Sequence, residues 1–194
     1  MSMTIAVFAS GSGSNFQAIV DAVANGELDA KIGLLVCDKP EAYVVERAEK
    51  AGVPVFSFNP KAYNGKADFE QAILNELKSR NVELIALAGY MRLIGEVLLQ
   101  AYPRRIINIH PSLLPAFPGL DAIGQAFDAG VKLTGVTIHY VDEGMDTGPI
   151  IDQEAVRIHP SDTRESVQKK VQAIEHTRYP ATLQQLSAKG VEIL

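Results

Sequence analysis

Three short segments carry residues whose types and spacing suit chemistry. The first is Asn108-Ile109-His110, followed by the proline-rich run His110-Pro111-Ser112-Leu113-Leu114-Pro115-Ala116-Phe117-Pro118-Gly119. Residues two apart on a strand point to the same face, so Asn108 and His110 can reach one substrate atom together. An amide donor beside an imidazole suits a developing oxyanion, and histidine exchanges protons near neutral pH. The same pair would equally serve to cap a turn. The second segment is Asp142-Glu143-Gly144-Met145-Asp146-Thr147-Gly148-Pro149. Its carboxylates can support a solvated turn, or one can hold a histidine protonated and take up a proton from an attacking amine.

The third is Ser10-Gly11-Ser12-Gly13-Ser14-Asn15. Small residues between a strand and a helix let backbone N–H groups and the helix dipole meet an anion. A dinucleotide fingerprint would need glycine where Phe16 stands, and a Walker loop would need Gly-Lys-Ser/Thr. Asp38 nonetheless stands where the ribose-binding acid of a nicotinamide site would be. A single-phosphate site, an ordinary tight turn and a dinucleotide site therefore all remain open on this segment. The four histidines are dispersed, no His-Glu-x-x-His or cysteine cluster occurs, and no metal site is expected. His139, within a strand, reads as a packed histidine, and His159 before Pro160 as a surface turn residue. No Gly-x-Ser-x-Gly elbow is present, which disfavours a serine hydrolase.

Positioning these segments requires an α/β scaffold. Strand-like runs are predicted near 5–9, 32–37, 53–58 and 84–88, alternating with amphipathic helical stretches over 15–24, 41–51 and 66–79. Gly52 stands where a helix C-cap would, with Pro54 just beyond. Apolar strands alternating with helices imply βαβ units in a parallel sheet with helices on both faces. Later strands are predicted over 106–109, 135–141 and 149–156. A long helix is expected from about 163 to 188, N-capped by Ser161 or Asp162, kinked or interrupted at Pro180, and followed by Gly190. Asn108 and His110 then fall at a strand C-terminus, where open α/β sheets bind ligands.

Bulk properties bound the partners. The chain has 194 residues and is 47% hydrophobic, which predicts one domain over residues 1–194. A net charge of −5 with no Lys/Arg block argues against nucleic acid as the main ligand. No apolar run approaches the roughly 20 residues that span a bilayer. One cysteine, Cys37, and no signal-like N-terminus favour the cytoplasm.

Taken together, the segments resemble the phosphoribosylglycinamide formyltransferase family, folate-dependent enzymes of purine biosynthesis. The likeness runs over nearly the whole chain. It rests on Ser10–Asn15, Leu87-Ala88-Gly89-Tyr90-Met91-Arg92, Asn108–Pro115, Val141–Ile150 and Glu175-His176, in that order. The resemblance implies a three-layer, mostly parallel, Rossmann-like sheet of about seven strands. It implies 10-formyltetrahydrofolate as co-substrate, with no metal, and a phosphorylated sugar amine as acceptor. Catalysis would fall to Asn108, His110 and Asp146. Gly13, Ser14 and Asn15 would hold the phosphate, and Glu175 with Gln172 the ribose. Lys66, Met91, Arg92, Leu93, Ile94, Asn108 and Asp142 would contact the folate, Lys66 meeting its tail. Residues Asp121 to Gly124 fall where some relatives carry histidines, and no role is assigned to them.

Related enzymes that formylate methionyl-tRNA or hydrolyse formyltetrahydrofolate carry an additional domain. The expected acceptor is therefore a small phosphoribosyl amine, handled by a monomer or homodimer. A nicotinamide oxidoreductase and a non-catalytic phosphoribosyl-binding module are the competing expectations.

Overall fold

The structure is a computed structural model in which residues 2–189 are described. Seven strands form one sheet in the order β3-β2-β1-β4-β5-β6-β7. Five of them, β1 (Met3–Ala9), β2 (Ala30–Cys37), β3 (Val55–Ser57), β4 (Leu84–Leu87) and β5 (Ile106–His110), run parallel. The last two, β6 (Leu133–Tyr140) and β7 (Ile150–Arg157), are antiparallel to their neighbours. Strand order reverses between β1 and β4, which puts a crevice beyond their C-terminal ends.

Alternation along β1 explains the three layers. Ile5, Val7 and Ala9 face one side of the sheet, where α1 (Ser14–Ala24), α2 (Tyr43–Lys50) and α6 (Arg164–Lys189) cover them through Phe16, Ile19, Val44, Val171 and Tyr179. Ala6 and Phe8 face the other, packed by Phe69, Ile73 and Leu77 of α3 (Lys66–Ser79) and Leu98 of α4 (Glu96–Ala101). Strands buried on both faces need the continuous apolar runs seen in β1, β2 and β4.

The expected elements all occur, with shifted ends. Gly52 adopts φ +68° just past α2 and donates its N–H to the Glu49 carbonyl, the left-handed termination expected of glycine there. Two helices lay outside the sequence reading, α4 and α5 (Ala122–Asp128), of six and seven residues. The N-terminus of α4 is held by a residue distant in sequence, since the Glu70 carboxylate accepts from Gly95 N at 2.6 Å. No local capping signal announces such a helix.

Two expectations for α6 need correction. It is continuous through Pro180 rather than interrupted there, because Tyr179, Leu183 and Leu186 are buried on either side of the proline. Its N-cap is Thr163, not Ser161 or Asp162. Thr163 Oγ1 accepts from Ser166 N at 3.1 Å while Ser166 Oγ accepts from Thr163 N at 3.0 Å. Asp162 instead receives Lys170 Nζ at 2.6 Å and the His159 N–H at 2.7 Å, which makes His159 the exposed turn residue expected. Gly190 lies outside the described residues.

Candidate active site

Beyond the ends of β1, β4 and β5 lies a cavity of about 470 Å³, a size suited to a small-molecule ligand. Its walls include three chain segments and two helices. The loop after β4 supplies Met91, Arg92, Leu93 and Ile94, β5 supplies Asn108 and His110, and the loop after β6 supplies Asp142 and Asp146. Asn15 of α1 and Glu175 of α6 close the remaining side.

His110 is buried at the end of β5, and both ring nitrogens face acceptors. Nε2 stands 2.9 Å from the Phe117 carbonyl, and Nδ1 stands 3.4 Å from Asp146 Oδ2. The proline-rich loop that carries Phe117 is fixed by Ser112, whose hydroxyl donates to the Ala116 carbonyl at 2.6 Å and the Phe117 carbonyl at 3.1 Å. An imidazolium satisfies both of the His110 partners at once.

Asp146 has φ +57° and accepts the Gly119 N–H at 2.8 Å. Burial pushes its carboxyl up. The His139 contact, the Gly119 N–H and the nearby His110 outweigh that and hold it below the usual carboxylate range.

His139 belongs to this cluster, although its place within a strand suggested only packing. In the β5–β6 ladder it lies directly opposite Asn108, and opposed residues share a sheet face. Its Nδ1 meets the Tyr140 carbonyl at 2.8 Å. Its Nε2 stands between Asn108 Nδ2 at 3.2 Å and Asp146 Oδ1 at 3.6 Å. A neutral ring accepts from Asn108; a cationic ring donates to Asp146. The signal was present only in the antiparallel register, which spacing within one segment does not reveal.

On the opposite side, Glu175 is buried and hydrogen-bonded to the Asn15 side chain. Burial pushes its carboxyl up to about 7, and the Asn15 bond only partly offsets this. Asn15 Oδ1 is buried with no hydrogen-bond partner among the described residues. An unmatched acceptor beside a carboxylate fits a ligand that brings hydroxyl or amine donors. Fully buried Tyr179, one turn after Glu175, anchors α6 by donating to the Leu87 carbonyl of β4 at 2.8 Å.

The remaining candidate residues are distributed as follows. Gly13 is the N-cap of α1 with φ +76°, and a Cβ there would come within 2.5 Å of Val44 Cγ2, so only glycine fits this turn. Gly13, Ser14 and Gln172 stand beside the cavity without lining it, whereas Gln168, one turn earlier on α6, does line it. Lys66 is not brought to the cavity. It sits at the start of α3 against Gly95 and near the buried Glu70 carboxylate. Asp142 is on the rim, where it accepts Thr147 Oγ1 at 2.6 Å and Gly144 N at 3.0 Å. Asp121 also lines the cavity and pairs with Arg164, so that segment contributes to the wall after all. Asp38 does not face the cavity as a ribose acid would. It is buried and bound to Ser10 and Arg92.

Beyond the end of β5, a mostly parallel seven-stranded sheet brings together an amide, two imidazoles and a carboxylate, groups able to donate hydrogen bonds and exchange protons. The chain belongs to the formyl transferase family, which matches residues 3–183, and it is a transferase. It is 62% identical to the phosphoribosylglycinamide formyltransferase of Bacillus subtilis (strain 168), over 93% of each chain. The crystal structure of glycinamide ribonucleotide transformylase 1 from Geobacillus kaustophilus superposes with a TM-score of 0.94 at 59% identity. That match covers 96% of this chain and 100% of that one. The human trifunctional purine biosynthetic protein adenosine-3 is 37% identical over 97% of this chain, which spans 19% of that protein. No described helix is long and apolar enough to cross a membrane.

Proposed function

We propose that the chain transfers the formyl group of 10-formyltetrahydrofolate to the amine of 5'-phosphoribosylglycinamide, a step of de novo purine biosynthesis. The observation that carries this reading is convergence on one cavity. Asn108, His110, His139 and Asp146 line one side, the Met91–Ile94 segment with its three apolar side chains another, and the Asn15–Glu175 pair a third. The names of the relatives support formyl transfer to the same acceptor.

In this reading Met91, Arg92, Leu93, Ile94 and the Asp142–Asp146 loop hold the folate. The backbone N–H groups of Gly13, Ser14 and Asn15 hold the phosphate, and Glu175 receives the ribose hydroxyls with Gln172 nearby. The acceptor amine attacks the formyl carbon directly. Asn108 uses its Nδ2 hydrogens in two directions, one toward His139 and one toward the formyl oxygen as negative charge builds on it. His110 Nδ1, the nitrogen on the Asp146 side, stabilises that charge and supplies the proton that the folate nitrogen needs as its C–N bond breaks. Asp146 takes the proton lost by the amine, directly or through water. Atoms balance: one C–N bond forms, one breaks, and a proton moves from the incoming to the departing nitrogen.

The chain then acts as one formyltransferase domain over residues 1–194, in the cytoplasm, on small molecules, as a monomer or homodimer. A spectrophotometric assay of folate product formation, run with and without phosphoribosylglycinamide, tests the reading. Product should form only with the amine present, and His110→Ala should abolish most of it. Product forming at the same rate without the amine would make water the acceptor and overturn the proposal.

A further inference from the structure

Asp38 is a buried carboxylate that the transfer chemistry does not use, and it lies at the junction of three strand ends. Its side chain is 2% exposed. Ser10, the first residue after β1, donates its hydroxyl to Asp38 Oδ1 at 2.5 Å. The same hydroxyl accepts the Met91 N–H at 2.9 Å, and the Ser10 N–H donates to the Gly89 carbonyl at 3.0 Å. Arg92 Nε donates to Asp38 Oδ2 at 2.7 Å, and its guanidinium lies 5.8 Å from the centre of the Phe69 ring. One carboxylate thus fixes the segment that leads into Gly11–Asn15 and the segment Met91–Arg92 that forms the cavity wall.

We propose that Asp38 is a positioning residue that locks the loop after β1 to the loop after β4, and so preorganises both halves of the cleft for their ligands. The inference rests on the donor and acceptor assigned above. Its physical basis is burial: a desolvated carboxylate with two side-chain partners holds both in fixed geometry, because releasing either leaves charge unmatched in a low-dielectric setting. A ligand meeting loops already in place does not have to order them, and that saving appears in affinity. Asp38 touches no reacting atom, so its removal acts on binding and not on the chemical step.

The test is Asp38→Asn, which keeps shape and removes charge, assayed for KM of both substrates and kcat. Titration calorimetry with tetrahydrofolate and, separately, phosphoribosylglycinamide measures binding without turnover. A charge-assisted contact of this kind predicts KM for the folate rising about tenfold, KM for the amine rising several-fold, and kcat changing less than about twofold. In an Arg92→Ala background the same substitution should add little to the folate KM. A purely structural role would instead lower Tm and leave both KM values in place. If Asp38→Asn does not fold, Ser10→Ala removes the bridging hydroxyl while keeping the Asp38–Arg92 pair, and both KM values should again rise. Unchanged KM in a folded variant, or a rise for one substrate alone, overturns the lock. Absence of turnover in the unaltered chain would instead count against the assigned reaction.

Discussion

Two aspartates at the edge of the same cleft are built in opposite ways. Asp38 is enclosed and met by close donors at 2.5 Å and 2.7 Å. Asp146 has one close donor, the Gly119 N–H at 2.8 Å, while the imidazoles of His110 and His139 stand off at 3.4 Å and 3.6 Å. A carboxylate enclosed away from the cavity, with one close donor on each oxygen, is not presented to a substrate and serves as scaffold. One whose ring partners are near but not tightly closed, on a cavity wall, can exchange protons as charge moves. The difference predicts that damage to the Asp146 cluster appears in kcat, whereas damage to the Asp38 cluster appears in KM.

The strongest challenge to that division is Asn108→Ala. Loss of one oxyanion donor costs about 10²–10³ in rate, so kcat should fall by that factor with folate binding little changed. A rise in KM at constant kcat would make Asn108 a binding residue and erase the contrast. Asp146→Asn comes next. The amide can still accept from Gly119 but cannot take a proton or stabilise an imidazolium, so single-turnover rates should drop about tenfold to a hundredfold. The stability profile has a definite sign. The Asp146 carboxyl is held below its ordinary value in the folded chain, so its contribution is present above the unfolded value near 3.8 and is lost as pH falls through the lower folded value. Acid unfolding that is identical in the unaltered chain and in Asp146→Asn would contradict this.

Glu175 sharpens the comparison from the other side of the cleft, with a smaller effect. Burial pushes its carboxyl from about 4.5 to about 7, so the folded chain binds more protons than the unfolded chain between those values. Stability contributed by the protonated form is present below about 4.5 and declines as pH rises toward 7. Glu175→Gln should therefore gain stability relative to the unaltered chain over that window, read as the difference in Tm against pH. Ribose hydroxyls donate best to the ionised group, so the acceptor's affinity should rise more steeply through pH 7 in the unaltered chain than in the variant, where the substrate phosphate alone titrates near about 6. Parallel profiles would remove Glu175 as the ribose acceptor.

Legibility in the sequence followed how local each cause was. The parallel strands, the helix over Lys66–Ser79 and the turn at Gly52 are set by apolar period and glycine chemistry, and they stand where the residues placed them. His139 was illegible as a site residue because its role depends on lying across from Asn108 in an antiparallel ladder 31 residues away. Helix α4 escaped notice because its N-terminus is satisfied by Glu70 of another helix. An interruption of α6 at Pro180 follows from a local rule for proline, whereas the packing of Tyr179 and Leu183 that carries the helix through it is not local. Asp38 stands by position where the ribose acid of a nicotinamide site would, and only its partners, Ser10 and Arg92, reveal it as part of the frame.

The smallest predicted effect concerns Lys66, the folate-tail cation that the family resemblance implies. Its side chain packs against Gly95 and lies near Glu70, which accepts the Gly95 N–H at the start of α4. Burial pushes the Glu70 carboxyl up; the Gly95 N–H and the Lys66 charge pull it down. From that place Lys66 does not reach the cavity lining. Lys66→Met keeps the aliphatic stem and removes a solvent-screened charge, so KM for a monoglutamyl folate should change by less than about threefold. Polyglutamyl folate provides the sharper measurement, since its extra carboxylates would extend beyond the cavity. A loss of affinity confined to the polyglutamyl donor, weakening with added salt, would restore Lys66 as a tail contact; equal behaviour of the two donors would leave it a partner of Glu70 at the start of α4.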